Sequence, residues 1–191
     1  KSVRLPVGNY RLVATIHADD KNFQRTFEVA SFTERIASEV TKAPYKIGKV
    51  ILEKTFTDPA DKDLVDEGIT VKGSLNGTDY LEVGSKKRDR IGCVVSFPKE
   101  FIGKPVILEI AWPDDKVRNM GLYMYRESKG KQHRDRLQGG IQAGNEYPNG
   151  NQIEKARYLF FPAGEHYLFE ARTYAPDQPA AVSSFRAYEV V

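Results

Sequence analysis

The densest set of side chains able to hold a ligand lies between Glu127 and Gln152, a polar stretch rich in Gly, Asn, Gln and charge. Within it Tyr147 is flanked by Asn145, Glu146 and Asn149. A flat ring ringed by planar amides and a carboxylate can stack on the apolar face of a ligand and fork onto its polar edge. Trp112, Tyr123, Tyr125 and Tyr174 are further candidate platforms, although rings on alternating segments mostly pack in cores. Arg118 follows Asp114 and Asp115 across a short turn. It reads either as a ligand-binding guanidinium at a loop tip or as half of a local ion pair, and the ion pair is the commoner arrangement.

Asp58, Asp61, Asp63, Asp66 and Glu67 cluster just ahead of Gly68. Carboxylates at i, i+3 and i+5 supply hard oxygen ligands, so Asp58, Asp61 and Asp63 are candidate calcium ligands; the spacing is not that of an EF-hand, and a solvated loop explains it equally. No other cofactor is expected. Two basic runs, Lys86-Lys87-Arg88-Asp89-Arg90 and Arg126 to Arg136, suit a polyanion. An anionic or sulfated polysaccharide fits them. Nucleic acid fits less well, because no recognition motif accompanies the charge, and basic edges also keep sheets from pairing. For catalysis the chain offers three His, with neither a Gly-x-Ser-x-Gly nor a His-x-x-x-His pattern. Glu146 is the one carboxylate singled out for a hydrolytic role, and the site checklist points away from an enzyme. Cys93 is the only cysteine, which excludes an intrachain disulfide. Its neighbours Ile91, Val94 and Val95 predict a buried thiol in a strand.

These residues must be positioned by strands. At 191 residues, 40% hydrophobic and 29% charged, the chain is large enough to bury a core without staples. No apolar run approaches the roughly 18 residues needed to span a bilayer, so no membrane partner is expected. The dominant hydrophobic period is two. Tyr10–Ala18 and Phe23–Ala30 alternate around a four-residue turn, which predicts a hairpin. Ser31 to Pro44 has capping-box spacing at Ser31 and Glu34 and reads as a short helix or an ordered linker. Strands are predicted at 47–56, 69–73, 80–83, 91–97, 106–112, 119–126, 157–161, 167–174 and 182–190, with the Glu127–Gln152 stretch as a long functional loop. The fold class is all-β, an antiparallel β-sandwich of jelly-roll type. The composition break divides the chain into residues 1–44, a hairpin and linker, and 45–191, the sandwich. The hairpin is either the last two strands of a preceding immunoglobulin-like domain or part of the main sandwich. A start at Lys1, with neither Met nor a signal segment, reads as a piece of a longer or processed polypeptide.

The final stretch Pro179–Val190 resembles the last strand of galactose-binding-like jelly rolls. The order that precedes it is similar too: a strand ending Trp112-Pro113-Asp114-Asp115, an aromatic alternating strand, then Leu159-Phe160-Phe161-Pro162. Residues 45–191 therefore resemble an accessory β-sandwich of large bacterial polysaccharide-degrading enzymes. The resemblance implies a non-catalytic carbohydrate-binding module, secreted or periplasmic. Its partners would be a polysaccharide or oligosaccharide, anionic ones included, and neighbouring domains of the same polypeptide. Under it, Tyr147, Glu146, Asn145, Arg118, Trp112 and Tyr174 are the ligand-binding candidates. Two alternatives stay open: an interdomain scaffold that binds nothing small, and a glycan-active enzyme using loop carboxylates.

Overall fold

The computed structural model describes residues 8–18, 21–31, 46–84, 86–128, 131–144 and 148–191; for most of 8–31, for 127 and 128, and for 131–138 it describes the backbone alone. The chain forms two compact units, Lys1–Lys46 and Ile47–Val191. In the first, β1 (Gly8–Ala18) and β2 (Lys21–Ser31) pair antiparallel from Gly8↔Ser31 to Ala18↔Lys21. Lys21 and Asn22, expected in the turn, belong to β2 and lengthen the ladder. The segment expected as a helix or linker lies outside the described residues beyond Ser31.

The second unit begins with β3 (Ile47–Thr55), β4 (Leu64–Glu67), β5 (Thr70–Leu75), β6 (Thr78–Val83) and β7 (Arg90–Ser96). A single 3-10 turn, Lys99–Phe101, precedes β8 (Val106–Pro113) and β9 (Arg118–Ser128). Then come β10 (Lys131–Ala143), β11 (Ile153–Phe160), β12 (His166–Thr173), β13 (Ala180–Val182) and β14 (Ser184–Val190). The strands build a five-stranded sheet ordered β10-β9-β12-β7-β4, a four-stranded sheet β11-β8-β14-β3 and a three-stranded sheet β13-β6-β5. Every pairing is antiparallel. This is the all-β antiparallel sandwich predicted from the two-residue period. No helix among the described residues is long and apolar enough to cross a membrane.

Alternation explains the core. Ile91, Cys93 and Val95 of β7, Met120, Leu122 and Met124 of β9, and Tyr167, Phe169 and Ala171 of β12 face inward from the five-stranded sheet. They meet Val106, Leu108, Ile110 and Trp112 of β8 with Phe185 and Ala187 of β14. Phe169 and Phe185 join the layers at 4.7 Å between ring centroids, and Tyr167 stands edge-on to Phe97 and Phe160 at 5.6 and 5.4 Å, the arrangement aromatic quadrupoles favour. Cys93 is the buried strand thiol expected, and burial pushes its pKa up to about 12.

The Glu127–Gln152 stretch departs from the sequence reading. Its residues Lys131–Ala143 form the strand β10, which pairs with β9 as a hairpin. The register slips between Asp135 and Gly139; that irregularity breaks the period and made the segment read as a loop. The acidic cluster is also partly strand: Asp66 and Glu67 belong to β4.

Every residue of β8 is buried, including Glu109 in the run VILEIAW. A carboxylate there requires compensation. Arg157 supplies it from Nε and a terminal nitrogen at 2.7 Å each, Lys155 at 3.3 Å and the Tyr188 hydroxyl at 3.1 Å. Burial works to raise the Glu109 pKa, but the bonds from Arg157 and Lys155 overcome it and hold the carboxyl below its ordinary value. A depressed folded-state pKa stabilises above the unfolded value and stops doing so as pH falls through the folded one. The midpoint of thermal unfolding should therefore fall progressively below about pH 4. Glu109→Gln should start lower at pH 7 and show a shallower decline to pH 2.5; parallel declines in the two proteins would contradict the assignment.

Candidate ligand-binding cleft

The other face of the five-stranded sheet carries the residues of opposite parity to the core. On β9 these are Asn119, Gly121, Tyr123 and Tyr125; across the ladder they adjoin Leu168, Glu170 and Arg172 of β12, and Arg90, Gly92 and Val94 of β7. Tyr123 and Tyr125 stack at 6.0 Å and 24°. The Arg172 guanidinium lies over both rings, 5.2 and 5.7 Å from their centroids. Arg172 donates to Glu170 at 2.6 Å, Glu170 pairs with Arg90 at 3.1 Å, and Arg90 pairs with Glu67 at 3.1 Å. This alternating row of charges crosses three strands. Burial opposes the positive charge of Arg172, yet Glu170 and the two tyrosines raise its pKa, so it is a permanent cation. Among the described residues, the buried Nε–H of Arg172 has no hydrogen-bond acceptor.

Beside this row the sheet face opens into a cleft of about 560 Å³. Its floor exists because Gly121 of β9 pairs with Gly140 of β10, removing two side chains from one rung. Asn119 and Gln142 pair on the next rung and offer planar amides. Tyr174, just past β12, donates its backbone N–H to the Asn119 carbonyl at 2.8 Å. Tyr174 is 54% exposed, and its ring borders the space above Gly121, where a Cβ would come within 2.9 Å of it. The adjacent Gly139 serves the other side of the strand. It pairs with Leu122, and a Cβ there would strike the Tyr158 ring, at 2.6 Å. One glycine of the pair thus admits a core tyrosine and the other opens the cleft. No carboxylate among the described residues lines this cleft.

The structure sorts the sequence candidates. Tyr174 is at the cleft. Asn145, Glu146 and Tyr147 lie outside the described residues. Asn149, downstream of them, donates to Asp114 at 2.7 Å and to the Lys116 carbonyl at 3.0 Å, and Gly150 N–H donates to Asp114 at 2.5 Å, which anchors the return of the chain to β8. Trp112 is a core residue, because it shares parity with Val106, Leu108 and Ile110. Arg118 is fully buried, since it shares parity with Met120 and Leu122. Its Nε donates to Pro113 O and Asp115, one terminal nitrogen to Pro179 O at 3.1 Å, the other to Glu82 and Asp115 at 2.7 Å each. The expected ion pair with Asp115 is present, and the expected presentation at a loop tip is not. Asp58, Asp61 and Asp63 do not gather around a common centre. Asp63 pairs with Lys54 at 2.7 Å, with Asp61 4.0 Å from the same ammonium, while Asp58 accepts from Ala60 N–H and Asp61 from Asp63 N–H at 2.9 Å each. Among the described residues no three His, Cys, Asp or Glu side chains are placed to hold a metal ion. Sequence reasoning missed Gly121, Gly140, Asn119, Gln142 and Arg172. The available signal was parity: over residues 119–125 of β9 the outward positions are Asn, Gly, Tyr and Tyr, while the inward ones, Met120, Leu122 and Met124, are apolar.

No protein-family model matches the chain, and no curated protein matches it in sequence. Its fold does match solved structures. The CBM22-1 xylan-binding domain of Paenibacillus barcinonensis Xyn10C superposes with a TM-score of 0.52 at 10% identity, covering 75% of this chain and 96% of that one. The N-terminal CBM22-1–CBM22-2 tandem of the same protein gives 0.52 at 11% identity, covering 78% of this chain and 47% of that one. The chain has the β-sandwich fold of carbohydrate-binding modules.

Proposed function

We propose that this chain is a non-catalytic carbohydrate-binding module that serves, within a multidomain secreted protein, to hold a polysaccharide or oligosaccharide for degradation. The observation that carries the reading is the glycine-floored cleft walled by the exposed ring of Tyr174. A pyranose has an apolar face that stacks on such a ring and equatorial hydroxyls that match the amides of Asn119 and Gln142. The fold shared with a xylan-binding domain supports the same reading. Asn145, Glu146 and Tyr147 follow Gln142 closely in the chain and belong to the proposed site by that proximity. The β1–β2 hairpin, a unit of its own, fits the end of a neighbouring immunoglobulin-like domain.

Titration against a panel of soluble polysaccharides and their oligosaccharides tests the proposal. Tyr174→Ala is expected to weaken binding at least about tenfold, as removal of an aromatic anchor does. Gly140→Leu should block the cleft while leaving the fold intact, because a Cβ at Gly140 meets only the Met120 carbonyl, at 3.4 Å. A folded protein that binds no member of the panel at millimolar concentration, or whose affinity neither substitution changes, would end this assignment.

A further inference from the structure

The turn between β6 and β7 contributes a second feature to the Tyr174 end of the cleft. Lys86, Lys87 and Arg88 are all exposed there. Among the described residues no carboxylate lies within ion-pair distance of any of the three side chains, whereas Arg90 and Arg172 on the same sheet face are neutralised by Glu67 and Glu170. A solvated stretch of lysines would be unremarkable on a flexible loop. This turn is instead pinned to the strand that carries the cleft wall. Arg88 N–H donates to the Thr173 carbonyl and Thr173 N–H to the Asp89 carbonyl, each at 2.8 Å. Thr173 is the residue immediately before Tyr174. Arg88 itself is held at φ 81, in the left-handed region that costs a non-glycine residue energy. Gly84 takes φ 90, and a Cβ there would come within 2.5 Å of Asp89 and 3.0 Å of Thr173 Oγ1. The Asp89 carboxylate accepts the Lys86 backbone N–H at 3.3 Å, and the two bonds to Thr173 fix the backbone of this turn next to the residue before Tyr174, with three exposed cations that have no ion-pair partner among the described residues.

From this we infer that the cleft takes an anionic glycan, with a carboxylate or sulfate substituent meeting the Lys86-Lys87-Arg88 turn while an adjoining sugar ring stacks on Tyr174. The inference rests on the carbohydrate-binding reading above and adds the charge class of the ligand. A preformed cluster of like charge concentrates anions locally and raises affinity in a salt-dependent way. The ring supplies the contact that distinguishes a glycan from any other polyanion.

The experiment uses the whole chain and two matched pairs of ligands. Neutral xylan is compared with xylan bearing glucuronate, and dextran with dextran sulfate; inorganic polyphosphate serves as an anion without sugar. At about 50 mM salt, where the Debye length exceeds about 10 Å, at least one charged member should bind at least about tenfold tighter than its neutral partner. That advantage should vanish at about 500 mM salt, where exposed charges are screened. Lys86→Ala/Lys87→Ala/Arg88→Ala should abolish the advantage while leaving binding of the neutral member unchanged, and Tyr174→Ala should weaken both. A gain on the glucuronate pair alone identifies a uronate, and a gain on the sulfate pair alone identifies a sulfate ester. Equal affinity within both pairs overturns the inference but leaves the carbohydrate-binding reading standing. Persistence of the preference in the triple variant overturns it as well, as does polyphosphate binding as tight as that of the charged glycans. Failure of every glycan to bind removes both readings together.

Discussion

Arg118→Met is expected to destabilise the sandwich by about 3–5 kcal/mol, the range seen when one partner of a buried ion pair is removed. The cause is what the substitution leaves behind. Arg118 has no exposed surface, and all its nitrogens are engaged. Without it Glu82 and Asp115 keep two carboxylates in a partly buried corner, and Pro113 O and Pro179 O lose their donor. Tyr80 adds to the cost, since its ring lies 5.7 Å from the guanidinium and its hydroxyl donates to Asp115 at 2.9 Å. The network ties β6, the β8–β9 turn, β9 and the segment before β13 together, so its loss is felt in two sheets. Denaturant unfolding followed by far-UV circular dichroism measures the effect. Lys116→Met removes only the exposed cation of the same cluster and should cost under about 1 kcal/mol. Adding Glu82→Gln and Asp115→Asn to Arg118→Met should recover part of the loss by removing the stranded charges. A loss in Arg118→Met no larger than in Lys116→Met would show that the cluster is an electrostatic bystander.

Gly92→Ala is expected to cost about 3 kcal/mol, the upper part of the range for overpacking a filled site. Gly92 sits in β7 between Glu170 of β12 and Val65 of β4. A Cβ there would overlap the Phe169 carbonyl oxygen and reach within 3.0 Å of the Glu170 Cα. Both are backbone atoms of a central ladder, so neither can turn aside as a side-chain tip could. Strands β7 and β12 would have to separate, and the Arg172–Glu170–Arg90 row would move with them. The informative comparison is Gly140→Ala, a glycine on the same sheet face with room above it, where a change of less than about 1 kcal/mol is expected because only ordinary contact is made. If thermal unfolding ranks the two variants equally, the close approach of β7 to β12 is not what requires glycine at position 92.

Much of the sandwich was legible because its strands announce themselves locally. VILEIAW in β8 is apolar at every position but Glu109, and it proved to be a central strand buried throughout. The alternation of β7, β9 and β12 predicted strands within a residue or two of their bounds. The errors came from places where one face is not apolar or the period slips. β10 is an edge strand with a register irregularity, so its polar residues imitated a loop. Trp112 and Arg118 were kept as ligand-binding candidates beside the commoner readings of core ring and local ion pair, and the structure bears out the commoner ones: the residues two positions away place both on the inward face. The acidic cluster was read as possible ligands for one ion, but Lys54, near the end of the strand β3 that leads into the loop, takes up Asp61 and Asp63.

What the amino-acid order determined alone is the class of structure: a period of two makes each segment a strand with one oily face, and two such sheets can bury those faces only against each other. Which strands became neighbours was decided by the tertiary structure. Gly121 and Gly140 make a cleft only because β9 and β10 pair in one register, and Tyr174 borders it only because β12 lies on the other side of β9. The turn that carries Lys86, Lys87 and Arg88 joins that end of the sheet through hydrogen bonds of Arg88 and Asp89 to Thr173, far along the chain. Side-chain period is a local property that the sequence carries in every window, whereas pairing register is a choice among distant partners, settled by the free energy of the whole packed core.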